Sequence, residues 1–190
     1  MRHIFIINPH AGKKDQTGRI YEMADRLRQQ HSLDCQCLLT QRPGGAEEMA
    51  RRLAESGEAV RIYACGGDGT VSEAANGIAG YPNAAMTCIP TGTGNDFLKN
   101  FGPDAAKFSD AENLWDGDVL PLDLIDCNGR LCLTIACSGI DARIADTVHR
   151  YGNVPGLSGR GSYLLSVAVN FLFKPIGRRW RVELDGEVLE

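Results

Sequence analysis

The sequence predicts an α/β protein with a doubly wound, mostly parallel N-terminal sheet, followed by the start of a mainly antiparallel β domain. Before Pro121, short apolar segments of strand length alternate with amphipathic helical patterns, and parallel strands need such crossover connections. After Pro121 this alternation stops. Two β-like runs there are joined by Asn128-Gly129, the strongest short hairpin signal in the chain.

Four strands and two helices are predicted in the N-terminal part. The strands are the apolar runs at 3–7, 35–39, 60–64 and 85–89. Helices are predicted over Thr17–Gln30 and Ala46–Ser56, where apolar residues recur at helical spacing, and Gly57 ends the second. Strands joined by crossover helices pair in parallel, and such sheets bind ligands at the carboxyl ends of their strands.

The residues after Pro121 are predicted to form a second, β-rich domain, so the expected domains are 1–121 and 122–190. Its expected elements are β-like runs at 122–127 and 130–137, helices at 140–149 and 162–173 around a glycine-rich loop at 152–161, and a strand at 180–184 turning at Asp185-Gly186. One hairpin and one further strand are few for an independent sheet. We therefore expect this domain to be truncated in the chain.

The composition and the spacing of cysteines and histidines argue against nucleic-acid binding, disulfides and a metal site. A net charge of -4 gives no global attraction to nucleic acid, which is not an expected partner. The seven cysteines lie in apolar, strand-like runs without a CxxC pair, so we expect small buried residues in a reducing cytoplasm rather than disulfides or a zinc site. The four histidines are far apart in the sequence, and no metal-binding residues are predicted.

Each of the four N-terminal strands is followed by a loop rich in glycine or threonine, and these loops should meet at one edge of the sheet. They are Asn8–Gly12, Thr40, Gly66–Thr70 and Pro90–Asp96. Glycines let the backbone approach phosphates closely, and the N–H groups that open a helix attract anions. Glycines at strand ends are also ordinary turn residues. Four such loops on one edge nevertheless favour a polyphosphate nucleotide as ligand, although neither a Walker A motif nor GxGxxG is present.

The third loop carries the most specific motif. Gly66-Gly67-Asp68-Gly69-Thr70 leads into a helix with Glu73 and Asn76-Gly77, and Thr70 is expected to cap that helix. This pattern, GGDGTxxExxNG, resembles the diacylglycerol kinase catalytic domain that is shared with sphingosine kinases and bacterial lipid kinases.

Three further segments resemble the same family and follow in the same order along the chain. They are NPxxG at Asn8–Gly12, PxGTxNDF at Pro90–Phe97, and Ser138–Ala142. The resemblance implies a fold of the NAD kinase/diacylglycerol kinase type. It also implies an ATP-dependent, magnesium-using kinase that transfers the γ-phosphate to the hydroxyl of diacylglycerol or a related lipid.

The resemblance further implies which residues bind ATP. These residues, all in the loops or the helix after the third loop, are Asn8, Pro9, His10, Ala11, Gly12, Thr40, Gly66, Gly67, Asp68, Gly69, Thr70, Glu73, Thr93, Asn95 and Asp96. Asp68 is also the expected catalytic carboxylate, able to orient magnesium or to accept a proton from the lipid hydroxyl. The alternative is that Asp68 only binds nearby backbone N–H groups.

Asp185-Gly186-Glu187 is similar to an acidic segment that bacterial relatives carry near their own C-terminus and that is implicated as the base. By order along the chain it matches an earlier hairpin, so Asp185 and Glu187 are expected to be turn residues. The counterpart of that base and of the family's magnesium-binding loop is expected to lie outside these residues.

The expected partner is a lipid substrate presented at a membrane surface. No apolar run has the length of a membrane span, so we expect a cytoplasmic protein, peripheral at the inner face of the membrane. The segment Phe171–Arg181 mixes aromatic residues with cations and could touch lipid, but a helix end followed by a strand with a solvated basic face is favoured. The oligomeric state stays open, with a homodimer as one option.

Two other functions stay open. An NAD kinase also uses GGDGT, although NPxxG and PxGTxNDF favour the lipid branch. The alternative from a different class is a non-catalytic fragment or regulatory module that binds a nucleotide without turnover.

Overall fold

The computed structural model describes residues 1–151, 159–173 and 181–189. The chain divides into two compact units, Met1–Ile135 and Ala136–Glu190. The hairpin around Asn128 therefore lies in the first unit. The division into domains after residue 121 stays a prediction.

The first unit is built on a four-stranded parallel sheet in the order β2-β1-β3-β4. Its elements are β1 (Arg2–Ile7), α1 (Thr17–His31), β2 (Cys35–Leu39), α2 (Gly45–Glu55), β3 (Val60–Gly66), α3 (Asp68–Ile78), β4 (Ala84–Pro90), the 3₁₀ segments Asp96–Ser109 and Ala111–Asn113, β5 (Ile125–Cys127) and β6 (Arg130–Cys132). This confirms the predicted α/β fold, and the predicted strands are all present with small shifts at their ends.

Apolar layers cover both faces of the sheet because successive strand residues point to opposite sides. On β1, Ile4 and Ile6 pack with residues of α2 and α3, whereas Phe5 and Ile7 pack with residues of α1. The neighbouring strand β3 is buried along its whole length. Burial on both faces is why these two strands are mostly apolar. The exception within β3 is Arg61, which is buried and donates to the carbonyl oxygens of Leu114 at 2.8 Å and Gly117 at 2.6 Å. The burial of both strands fixes the positions of the loops at their carboxyl ends.

The antiparallel hairpin β5–β6 is shorter than predicted. The turn at Asn128 (φ 55) and Gly129 (φ 81) confirms the hairpin signal. Residues 122–124 and 133–137 are not strand, because the hairpin packs on a helix instead of a wider sheet. The side-chain amide of Asn76 in α3 forms hydrogen bonds with both backbone polar groups of Leu131. Its Nδ2 atom donates to the carbonyl oxygen of Leu131 (2.8 Å), and its Oδ1 atom accepts from the N–H of Leu131 (2.9 Å).

The expectation that the cysteines are buried is wrong for part of the set. Cys35, Cys65 and Cys88 are buried in the first unit, but Cys127 and Cys137 are exposed. Burial of a strand residue depends on what covers its face. The short hairpin that carries Cys127 is contacted by α3 through a hydrogen-bonded edge, which leaves that side chain open to solvent.

The second unit contains two helices and a hairpin, which are α4 (Ile140–Tyr151), α5 (Gly159–Phe173), β7 (Val182–Leu184) and β8 (Glu187–Leu189). The motif-like segment at Ser138–Ala142 leads into α4. The two helices share a polar contact, in which the hydroxyl oxygens of Thr147 and Ser166 lie 2.6 Å apart and Asn170 Nδ2 donates to Thr147 Oγ1 at 2.9 Å. Within the described residues, no helix combines the length and the apolar character needed to cross a bilayer.

Several C-terminal predictions can be compared with this unit. The glycine-rich loop cannot extend to Gly161, because α5 already begins at Gly159; residues 152–158 lie outside the described part. Asp185 (φ 51) and Gly186 (φ 87) form the predicted turn, but Glu187 is the first residue of β8. Most of the basic segment, 174–180, also lies outside the described residues, so its favoured assignment, a helix end followed by a strand with a solvated basic face, stays a prediction.

Helices α2 and α3 pack closely because Gly77 has no side chain. A Cβ atom at Gly77 would lie 2.5 Å from the carbonyl oxygen of Glu47 and 2.7 Å from the Cβ atom of Ala50. Both distances are too short for ordinary contacts. The carbonyl oxygen of Glu47 is a backbone atom and the Cβ atom of Ala50 is attached directly to the backbone, so neither can move away unless α2 moves. This glycine therefore sets the separation of the two helices.

We expect Gly77→Ala to lower the free energy of unfolding by about 1–3 kcal/mol, because the added methyl group must push α2 and α3 apart. Gly18→Ala is the matched control, since Gly18 lies in α1 and a Cβ atom there would have nothing within 4 Å. That change should be neutral or stabilise by up to about 1 kcal/mol. Urea unfolding followed by circular dichroism measures both, and equal stability of the two variants would contradict the close helix packing.

Candidate functional site

At the carboxyl edge of the sheet, the first residue after each of the strands β1, β2 and β4 is hydrogen-bonded to the end of a neighbouring strand. The N–H of Asn8 donates to the carbonyl oxygen of Cys65 at 2.9 Å, and the N–H of Thr91 donates to that of Gly66 at 3.0 Å. The loop after β2 joins them where the N–H of Thr40 donates to Ile7 at 2.8 Å. The four loops thus lie together, as the parallel strand order predicts.

Two glycines allow the first and third loops to approach the fourth. At Gly12 (φ 77), a Cβ atom would lie 2.2 Å from the carbonyl oxygen of Thr91. At Gly92, a Cβ atom would lie 2.4 Å from the Cα atom of Gly67. Part of the glycine pattern is therefore required for the loops to interlock, independently of any ligand.

A cavity of about 280 Å³ opens beside the N-terminal end of α3. It is lined by Asn8, His10, Thr40, Gln41, Arg42, Pro43, Gly69, Thr70 and Glu73. Most of these residues belong to the predicted nucleotide-binding set. The first N–H groups of a helix have no partner within the helix, so Gly69 and Thr70 bring backbone donors and a positive dipole end to the cavity wall.

Three cavity residues, Gln41, Arg42 and Pro43, lie outside the predicted set. Arg42 supplies a cation, and its Nη2 atom is 2.6 Å from Oε2 of Glu48. Both side chains are substantially exposed, and such ion pairs are weak, so the guanidinium can exchange this partner for another anion. The sequence indicated a role for Arg42 only through its position two residues after Thr40, in the loop that follows the second predicted strand.

The side chain of Asn8 holds the first loop against α3. Its Nδ2 atom donates to Thr70 Oγ1 at 3.2 Å, and its Oδ1 atom accepts the N–H of His10 at 3.0 Å. Thr70 lies inside α3, which begins at Asp68 with Gly67 as its N-cap residue. The predicted capping role of Thr70 is therefore wrong, because the helix starts earlier than the capping pattern indicates.

Glu73 connects α3 to the N-terminus of α2. Its Oε1 atom accepts the N–H of Gly44 at 2.9 Å, and its Oε2 atom accepts that of Ala46 at 3.1 Å. A carboxylate is favoured at a helix N-terminus, where the backbone N–H groups lack partners. Glu73 thus supports the cavity wall, and its direct contact with a nucleotide stays a prediction.

Asp68 links the third loop to the fourth. Its Oδ1 atom accepts the N–H of Asp96 at 2.6 Å and that of Phe97 at 3.3 Å, which caps the first 3₁₀ segment. The backbone-binding role considered for Asp68 is therefore present, although on the fourth loop. In the described part of the chain, Oδ2 accepts no hydrogen bond, so this oxygen is available to a cation or a proton.

The remaining predicted residues of the first and fourth loops do not line the cavity. Pro9, Ala11 and Gly12 form the turn of the first loop, where the N–H of Ala11 donates to the carbonyl oxygen of Asn8 at 3.2 Å. In the fourth loop, which also holds Thr93, Asn95 (φ 60) donates from Nδ2 to the carbonyl oxygen of Gly92 at 2.9 Å.

Asp96, the last predicted residue of the fourth loop, forms an ion pair with Lys99, whose Nζ atom lies 2.6 Å from Oδ1. Next to these residues, Thr91 Oγ1 is buried without a hydrogen-bond partner among the described residues. Thr91 is held between Gly12 and Gly66, so this hydroxyl is a free polar group at the junction of three loops.

Comparison with known proteins gives a family match over the first unit. Residues 2–127 match the model of the diacylglycerol kinase catalytic domain. A Pseudomonas aeruginosa protein described as "Probable lipid kinase YegS-like" is 32% identical over 144 residues, which cover 69% of this chain and 47% of the relative. A Bacillus subtilis diacylglycerol kinase is 38% identical over 80 residues, 41% of this chain and 26% of the relative.

A crystal structure of a diacylglycerol kinase from Bacillus anthracis strain Sterne matches with a TM-score of 0.53 and 28% identity, covering 68% of this chain and 48% of that one. The chain spans about half the length, or less, of these relatives. The family match includes all four loops, the cavity residues and the sheet that positions them. The chain belongs to the diacylglycerol kinase catalytic-domain family.

Proposed function

We propose that this chain is the nucleotide-binding part of an ATP-dependent lipid kinase that phosphorylates the hydroxyl of diacylglycerol or a related lipid. The observation that carries the proposal is the cavity beside α3, in which backbone N–H groups, hydroxyls and Arg42 converge. The names of matched relatives, which include lipid kinase and diacylglycerol kinase, support the acceptor class. The lipid is expected at a membrane surface.

The cavity suits a phosphate chain. A triphosphate is acceptor-only and needs donors at short range, which the amides of Gly69 and Thr70 and the hydroxyl of Thr40 supply. Arg42 adds a positive charge. In phosphoryl transfer, such donors position the nucleotide and stabilise the charge of the transferred group.

Magnesium fits this arrangement as an ion shared with the nucleotide. Among the described residues, no group of three histidine, cysteine or acidic side chains could hold a metal by itself. Mg²⁺ is commonly held through one or two carboxylates together with substrate phosphates and water, and Asp68 offers one carboxylate oxygen that is not hydrogen-bonded. The bound ion would neutralise charge on the phosphates.

Asp68 is the carboxylate that we assign to catalysis. One oxygen is fixed by two backbone N–H groups, so the orientation of the other is set before any ligand binds. That oxygen can hold a proton from the acceptor hydroxyl or orient a cation. Both roles need its negative charge, whereas the cap on the fourth loop needs only an acceptor.

We expect Asp68→Asn to slow the transfer of labelled γ-phosphate from ATP to diacylglycerol by about 10²-fold or more, because the amide keeps an acceptor for the fourth loop but has no charge. The assay contains magnesium and separates lipids by thin-layer chromatography. Asp104→Asn is the matched control, since it removes the same charge from an exposed carboxylate paired with Lys107 at 2.9 Å. The control should keep the parent's rate.

The acceptor panel of this assay includes sphingosine, total lipid and NAD. Label in NAD would replace the lipid kinase proposal with an NAD kinase. Measurable ATP binding without label in any acceptor would mean that this chain by itself is only the nucleotide-binding part of a kinase or a non-catalytic relative. An equal loss of rate in Asp104→Asn would contradict the specific role of Asp68.

We expect Glu73→Gln to lower the free energy of unfolding by about 1–2 kcal/mol, because it removes the anion at the N-terminus of α2 and places an amide donor against an N–H group. Glu22→Gln on the exposed face of α1 is the control and should lie within about 0.5 kcal/mol of the parent. Thermal unfolding and titration with a nucleotide are measured on each variant. Weaker nucleotide binding at unchanged stability would assign Glu73 to the ligand instead of to the scaffold.

A further inference from the structure

The hairpin β5–β6 carries two cysteines that lie outside the cavity. The Sγ atoms of Cys127 and Cys132 are 3.7 Å apart. Cys127 is paired with Arg130 and Cys132 with Ile125, so the two cysteines are diagonal neighbours on one face of the hairpin. Cys127 is exposed and Cys132 is half-buried, which leaves the pair open to small reagents in solution.

We propose that Cys127 and Cys132 form a reversible disulfide that closes the hairpin, through thiol–disulfide exchange with a low-molecular-weight disulfide such as oxidised glutathione. One cysteine thiolate attacks the small disulfide, which forms a mixed disulfide and releases one small thiol. The second cysteine thiolate then attacks the first cysteine's sulfur and releases the other small thiol. The protein gives up two electrons and two protons, and the two small thiols carry them away.

The remaining cysteines of the first unit do not compete for the reagent. Burial raises the pKa of the Cys37 thiol to about 11 and that of Cys88 to about 12, and it raises those of Cys35 and Cys65 as well. Near neutral pH these groups are thiols, whereas the thiolate is the reactive form. Cys137 is exposed and must be removed in any test.

The hairpin contacts α3, which lines the cavity, and α2, which packs against α3. Leu131, which lies between the two cysteines, exchanges two hydrogen bonds with Asn76 of α3. Arg130 forms an ion pair with Glu47 of α2, in which Nη1 of Arg130 lies 2.8 Å from Oε2 of Glu47. A two-stranded hairpin is marginal alone, so a cross-link that removes its open conformations holds Leu131 against α3.

The chain contains a cleavage site that makes the test direct. Trypsin cuts after Arg130, between the two cysteines, so their peptides separate unless a disulfide joins them. A Cys137→Ser chain is equilibrated at several ratios of oxidised to reduced glutathione, alkylated, digested and analysed by mass spectrometry. We expect the linked peptides to increase with the oxidised fraction and to disappear again in excess reduced glutathione.

Matched variants carry Cys127→Ser or Cys132→Ser in the same background. Each should take up one glutathione and yield no linked peptides. Three outcomes in the Cys137→Ser chain would each overturn the proposal. They are separate glutathione adducts on both cysteines, a disulfide between two chains, and two free thiols under conditions that modify the variants.

Amide hydrogen exchange tests the effect on α3 without any nucleotide, so its outcome is independent of the proposed kinase function. The N–H of Leu131 should exchange several-fold more slowly in the oxidised chain than in the reduced chain, and unchanged exchange would contradict the closing of the hairpin. The side-chain hydrogen bond between the thiols of Cys127 and Cys132 raises the pKa of the Cys127 thiol. The oxidation should therefore become faster as the pH rises, because more of the thiolate forms.

Discussion

The carbonyl oxygen of Gly66 accepts two backbone N–H groups, from Thr91 at 3.0 Å and from Gly92 at 3.2 Å, and this junction fixes the third loop to the fourth. It is possible because β3 and β4 are adjacent parallel strands that end at the same level. The first loop reaches the junction through Gly12, which touches Thr91. Without these contacts the loops would be separate turns, and the donors around the cavity would have no common frame.

Residues of the motif GGDGTxxExxNG make structural contacts within the first unit, in addition to those that line the cavity. Asp68 caps the fourth loop, Thr70 binds Asn8, Glu73 caps α2, Asn76 holds the hairpin and Gly77 sets the packing of α2 on α3. A match to the motif therefore identifies the family and the fold together, but it does not separate residues that touch the nucleotide from residues that support the site. Stability and binding must be measured on the same variants to distinguish the two roles.

The sheet and much of the site could be predicted from the sequence, because both depend on local patterns. β1 and β3 are mostly apolar runs of strand length, and Asn128 and Gly129 form the hairpin turn because both residues tolerate positive φ. What could not be predicted depends on contacts between distant residues. Among the described residues, β5 and β6 pair only with each other, which the apolar runs around them do not indicate. The position of Arg42 beside a cavity depends on the meeting of the first loop, the second loop and α3.

Helix α3 joins the hairpin to the cavity. Glu73 and Asn76 are three residues apart, about 4.5 Å along the helix axis. Glu73 binds the N-terminus of α2, whereas Asn76 binds the backbone of β6. Gly77, the next residue, lies against α2, so α3 is held by the hairpin on one side and by α2 on the other, while its first turn at Gly69 and Thr70 lines the cavity. The hairpin and the cavity thus contact the same short helix, so the disulfide proposed for the cysteine pair would form beside the element that supplies the cavity wall.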